Sequence, residues 1–213
     1  MDFFDTQVHF CRREGNYSQE AQISRAQEAG VTRMIAVGGS CELNKGAVDA
    51  ASCHPELIRI ALGFDRDQTD TLATPEAIND ALARLQTSKA QLAQKGVIVS
   101  AIGEIGLDYH YSPKSAPAQL SLFEAQLALA GELKLPVVIH SREADDDTLR
   151  VLKNHADAWQ GDPTRIGVLH CFTGGAPFAA ELVKLGFHIS FSGIVTFLNA
   201  APLRAVAKEI PGD

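Results

Sequence analysis

The sequence lacks the marks of a membrane, secreted or strongly basic protein. No apolar run approaches the roughly 18 residues of a membrane span. The four cysteines, Cys11, Cys41, Cys53 and Cys171, include no Cys-x-x-Cys pair, which fits free thiols in a reducing compartment. Nothing at the N-terminus resembles a signal peptide, because Asp2 and Asp5 interrupt the early apolar residues. Nineteen lysines and arginines face 26 aspartates and glutamates, a formal net charge of −7. That balance opposes broad electrostatic attraction to nucleic acid or anionic lipid, but not a local phosphate contact. No glycine-rich fingerprint follows the first strand, which weakens a dinucleotide-binding reading. The short Val37–Glu42 segment is too weak a phosphate cradle to support a flavodoxin-like binder. The expectation is a cytoplasmic protein, monomeric and without a membrane partner.

What is present is alternation. With 46% hydrophobic and 21% charged residues, the 213-residue chain has ordinary globular composition. Neither a domain boundary nor a low-complexity tract interrupts it, so residues 1–213 read as one domain. Short apolar segments at 2–10, 32–38, 57–64, 97–104, 136–140, 166–170 and 188–193 read as strands. Amphipathic stretches such as 18–30, 75–96 and 119–134 lie between them; Pro75 opens one helix, and Gly30, Gly96 and Gly186 close others. Such alternation implies parallel strands joined by right-handed crossovers, either in a doubly wound sheet or in a TIM-type (β/α)8 barrel. Polar residues at the ends of the first, fourth, fifth and sixth strands favour the barrel, where strand ends surround one mouth. Seven strands are counted and a typical barrel takes about 250 residues. The chain is thus short of one βα unit: it is truncated, or the barrel closes another way.

Three of the strands end on a ligand-type residue. The segment PVVIHSREA (136–144) runs apolar to His140 and then turns charged; IGVLH (166–170) stops on His170, and VIVSAIGE (97–104) on Glu104. Alternation puts His140 on the face of Val138, His170 on that of Val168 and Ile166, and Glu104 on that of Ile102. If those faces point inward, Glu104, His140 and His170 converge. Two imidazoles and a carboxylate suit a divalent ion such as Zn²⁺ and leave positions for water, whose pKa can fall from about 15.7 to about 7. The plainer alternative is a set of polar residues capping a buried sheet. In the first strand Asp5, Gln7 and His9 share a face, and the neutral amide of Gln7 is a poor zinc ligand.

Together, DTQVHF (5–10), IGEIGLDYH (102–110), PVVIHSREA (136–144), GVLHCFTGG (167–175) and GIVTFLNA (193–200) resemble the TatD family of metal-dependent hydrolases, within the amidohydrolase superfamily. The resemblance implies a TIM-type barrel, one or two divalent metals (Zn, Mg or Mn) and phosphodiester hydrolysis with deoxyribonuclease activity on DNA or a small phosphodiester. By position, His9 would bind the first metal, Glu104 would bridge both, and His140 and His170 would hold the second. Glu104, His140 and His170 would then be the catalytic set. Three departures stand out. Gln7 replaces the first histidine of His-x-His, Asp65 stands where the third strand normally has histidine, and the last-strand aspartate has no counterpart here. A degenerate homologue with a metal-binding or structural role is therefore the alternative to an active enzyme.

Weaker candidates surround this set. Arg142 could hold a substrate phosphate with Glu143 orienting it, or the two could form a surface ion pair. Asp65 is a rim residue, a substitute ligand or a general base. Asp108 supports the loop after Glu104 or caps a turn. Cys171 beside His170 should point away from it, which argues against a thiol nucleophile. His110, His155 and His188 show no pattern.

Overall fold

The computed structural model describes residues 2–11 and 18–212. Seven parallel strands, β1 (Phe3–Val8), β2 (Val31–Gly39), β3 (Ile58–Phe64), β4 (Val99–Asp108), β5 (Val137–Arg142), β6 (Gly167–Leu169) and β7 (Phe187–Ile189), pair in the order of the sequence. Helices alternate with them: α1 (Gln19–Glu28), α2 (Cys41–Cys53), α3 (Pro75–Gln94), α4 (Ala116–Leu133), α5 (Asp145–Ala158), α6 (Ala176–Lys184) and α7 (Ala201–Glu209). The strand order never reverses, so there is no topological switch point of a doubly wound sheet. The sheet instead curls as a TIM-type barrel does. Its concave side packs a small layer of Val37, Ala61, Ala101 and Val138, with Ile35 and Val168 against it. The large core lies on the other side, where Met34, Ile58, Ile60, Ile102, Ile105 and Ile139 meet Leu122, Phe123 and Leu152 of the helices. Among the described residues, β1 and β7 are the two edges of the sheet.

Local chemistry explains the element ends. Ser18, Ser40 and Thr74 cap α1, α2 and α3 by accepting backbone N–H groups of Ala21, Leu43 and Ala77. Gly30, Gly96 and Gly186 follow α1, α3 and α6 at φ of 91°, 78° and 89°, the left-handed turn that glycine takes without a Cβ penalty. Three aspartates, Asp145 to Asp147, open α5, where negative charge favours the helix dipole.

Two buried glutamines on one face of α4 fix the strand ends. Gln126 accepts the Phe64 N–H at 2.7 Å and donates to the Phe64 carbonyl at 2.8 Å. Gln119, two turns earlier, accepts the Asp108 N–H at 2.7 Å and donates to the Asp108 carbonyl at 3.0 Å. Each amide continues the backbone pairing of a strand, satisfying polar groups where the sheet stops. Gln126→Met keeps the volume but removes both partners. It is expected to destabilise the protein by about 1–3 kcal/mol for each buried group left unpaired, read as a lower urea midpoint at constant slope.

Candidate metal centre

The strand ends carry the polar cluster, but β4 reaches it through a break in alternation. Ile102 pairs with Val137, and Ile105 with Ile139; three steps on β4 match two on β5, so β4 contains one extra residue. Ile102 and Ile105 both pack in the helix-side core, which leaves Gly103 and Glu104 together on the concave side. Glu104 therefore does not share the face of Ile102, as strict alternation would have it. The bulge turns it inward, a common use of bulges beside functional sites. Gly103 fits because its backbone lies against Val138, where an added Cβ would stand 2.7 Å from the Val138 Cβ. Nor does Glu104 end its strand, since β4 continues to Asp108. Val138 and Val168 do belong to the concave side with His140 and His170. Ile166 packs in the helix-side core instead.

Glu104 is 5% exposed, and imidazoles surround it. Its Oε1 lies 3.0 Å from His170 Nε2 and 3.3 Å from His140 Nδ1, while Oε2 lies 3.1 Å from His9 Nε2. Burial alone would push this carboxyl up, but hydrogen bonds from His140, His170 and His9 outweigh it and hold the group well below the usual carboxylate range. His9 responds in the opposite sense. Burial pulls its imidazole down, but the hydrogen bond and charge of Glu104 raise it above the ordinary histidine value.

Two of the three rings are oriented from behind. His140 turns Nε2 to Asp108 Oδ2 at 3.0 Å, so Nε2–H can go to the carboxylate and Nδ1 is left facing Glu104. Asp108 is fully buried; burial pushes its carboxyl up, but the Tyr111 N–H and His140 bring it below the ordinary value. His9 Nδ1 meets the Val37 carbonyl at 2.8 Å, which leaves Nε2 toward Glu104. Asp108 thus caps the Tyr111 turn and supports His140 at once.

The ligand atoms of Glu104, His140 and His170 all lie within 4.8 Å of one another. One carboxylate and two imidazoles at that separation fit a divalent ion with open positions. The His9 side differs. Gln7 Nε2 donates to Glu104 Oε2 at 3.2 Å and lies 3.0 Å from His9 Nε2. Turning this amide over would set two acceptor oxygens against each other, so the nitrogen belongs on that side. An uncharged amide thus lies against both His9 and Glu104, and Gln7 Oε1 is buried without a hydrogen-bond partner among the described residues.

Residues 4–213 match the family model of TatD related DNase. The chain belongs to the TatD family. It is 35% identical over 210 residues to YabD, an uncharacterized metal-dependent hydrolase of Bacillus subtilis, covering 99% of this chain and 76% of that one. It is 31% identical over 211 residues to the 3'-5' ssDNA/RNA exonuclease TatD of Erwinia tasmaniensis, covering 99% and 76%. The crystal structure of YjjV from Escherichia coli, a TatD homologue, superposes with a TM-score of 0.78 at 30% identity, covering 98% of this chain and 75% of that one. Metal-dependent hydrolysis is the chemistry of this family, and among the described residues the Glu104–His140–His170 cluster is a group that could hold the ion.

The weaker candidates separate once placed in the TatD barrel. Arg142 and Glu143 do not pair. Glu143, at φ 53°, turns to His110, whose Nδ1 is 2.6 Å from its Oε1, and Arg142 stacks 4.9 Å from the centroid of Tyr111. Arg142 also lines an open cavity of about 870 Å³ with Thr173 and Phe197. Cys171 lies beyond β6, and its Sγ contacts Ser192 Oγ at 3.0 Å. His188 contacts the Thr164 carbonyl, and His155 is buried beside Trp159. Asp65 caps the turn after β3, accepting the Asp67 N–H at 2.9 Å while its own N–H donates to the Gly39 carbonyl at 2.8 Å. Two features were not singled out from the sequence: the Asp108–His140 contact, and Arg66, whose signal was a cation directly after a strand-end Asp.

Burial pushes the Asp65 carboxyl up to about 6, with repulsion from Asp67 and Glu104 adding to it. An acid raised on folding opposes stability when ionised. Its cost is absent below about pH 4, grows as pH rises toward 6 and is constant above. In chelated protein, Asp65→Asn keeps the cap and is expected to stabilise at pH 8 by at most about 3 kcal/mol. The gain should vanish near pH 4, as followed by urea denaturation across pH.

Proposed function

We propose that this chain hydrolyses phosphate esters, as a deoxyribonuclease acting on DNA phosphodiesters, at a divalent metal held by Glu104, His140 and His170. The carrying observation is the convergence of those three ligands within 4.8 Å at the strand ends, in a family whose model is that of a DNase. When bound, the ion would supply Lewis acidity and a water acidic enough to ionise near neutral pH. The protein's part is orientation and charge. Asp108 holds the His140 ring in place, and the Val37 carbonyl does so for His9. Asp65, with its carboxyl pushed up to about 6, can hold or release a proton near neutral pH beside the cluster.

A second reading, a metal-binding relative without turnover, draws on Gln7. Its neutral amide nitrogen lies against both His9 and Glu104, on the side where a second cation would draw on the same two residues. One divalent ion per chain is therefore expected from elemental analysis of protein purified without chelator. His140→Ala should abolish it, and Asp108→Asn should weaken it about 10- to 100-fold. Two tightly held equivalents would overturn the single-ion reading.

Activity separates the two readings. Cleavage of single-stranded DNA and of a chromogenic phosphodiester should be slow and dependent on added Mg²⁺ or Mn²⁺, and absent from Glu104→Ala. A wild-type rate no higher than that variant at every metal concentration would leave the non-catalytic reading standing.

A further inference from the structure

Among the described residues, Arg66 brings to this mouth a cation that is only loosely paired, with Asp67 and Glu104. It opens the turn after β3, and its Nη1 lies 3.9 Å from Glu104 Oε1, beyond hydrogen-bond reach. Its Nε is buried with no hydrogen-bond partner among the described residues, and the nearest anion, Asp67 Oδ1, is 3.4 Å away on a side chain that is 58% exposed. Only 19% of the Arg66 side chain is accessible. A guanidinium keeps its charge at any working pH and carries five donors in a planar fork. Glu104 does not need it, because both carboxylate oxygens already face imidazoles.

The backbone that carries Arg66 is held from both sides. Gln126 clamps Phe64, and the Asp65 N–H is tied to Gly39. The guanidinium therefore stands over the cluster by construction of β3 and α4. On its other side it lines a cavity of about 410 Å³ with Tyr111 and Lys114, so a group gripped by Arg66 opens onto space for the rest of a substrate. A planar, loosely paired, charged fork beside the Glu104 cluster complements the non-bridging oxygens of a phosphoryl group.

We infer that Arg66 is a phosphate-binding residue of this site, gripping a non-bridging phosphoryl oxygen and supplying positive charge on the Oε1 side of Glu104, whereas the neutral amide of Gln7 on the Oε2 side supplies none. The inference rests on the phosphate-ester reading. It makes and breaks no bond itself; its work is to bind and to neutralise charge.

The test uses the full chain loaded with Mn²⁺, with inorganic phosphate as probe in calorimetry. Arg66→Ala should bind Mn²⁺ as wild type does but bind phosphate about 10- to 100-fold more weakly, the scale of a lost charge-assisted contact. Free guanidinium should restore part of its rate on the chromogenic phosphodiester without altering wild type. If Arg66→Ala does not fold, Arg66→Gln keeps the stem and carries the same comparison. Unchanged phosphate affinity in a folded, Mn²⁺-loaded variant overturns the role of Arg66 while wild-type hydrolysis leaves the phosphate-ester reading intact. Wild type that neither binds phosphate nor cleaves the diester overturns both.

Discussion

A buried carboxylate sets the terms for the mouth of this barrel. Glu104 has almost no access to water, and an isolated carboxylate in such a place carries a penalty of several kcal/mol. Three imidazoles, from β5 and from the segments just beyond β1 and β6, offset it by facing its two oxygens. Two of the histidines, His140 and His9, are in turn anchored by groups that do not touch the carboxylate, Asp108 and the Val37 carbonyl. Negative charge is thereby concentrated where a divalent cation is best received.

That arrangement draws its rigidity from outside the mouth. The bulge in β4 aims Glu104, and the absence of side chains at Gly103 and Gly63 lets β3, β4 and β5 close around it; a Cβ on Gly63 would meet the Gly103 backbone at 2.9 Å. Helix α4 then fixes two strand ends through Gln119 and Gln126, one carrying Asp108 and the other leading to Asp65 and Arg66. The support of His140 and the placement of Arg66 share one helix. Such coupling of a site to buried backbone hydrogen bonds holds its geometry without relying on exposed ion pairs, which contribute little.

Local periodicity carried the architecture. The seven apolar segments are strands because their alternation and length need no knowledge of neighbours, and Gly30, Gly96 and Gly186 end helices because backbone sterics are local. Glu104, His140 and His170 were legible as a group for the same reason: each is a ligand-type side chain on an apolar strand, and a parallel barrel gathers such positions at one end. Gln7 was legible as a neutral amide beside His9. The tertiary structure decided the rest. The inward turn of Glu104 depends on a register slip against β5, which no single-strand rule contains, and so the face assigned from Ile102 was wrong. Gln119 and Gln126 are buried only because the ends of β4 and β3 offer them unpaired backbone groups. Glu143 leaves Arg142 for His110 because the chain turns at φ 53°. Sequence determined which chemistry was available and on which elements; pairing between strands far apart in the chain decided which atoms meet, because register and bulges are properties of two strands at once.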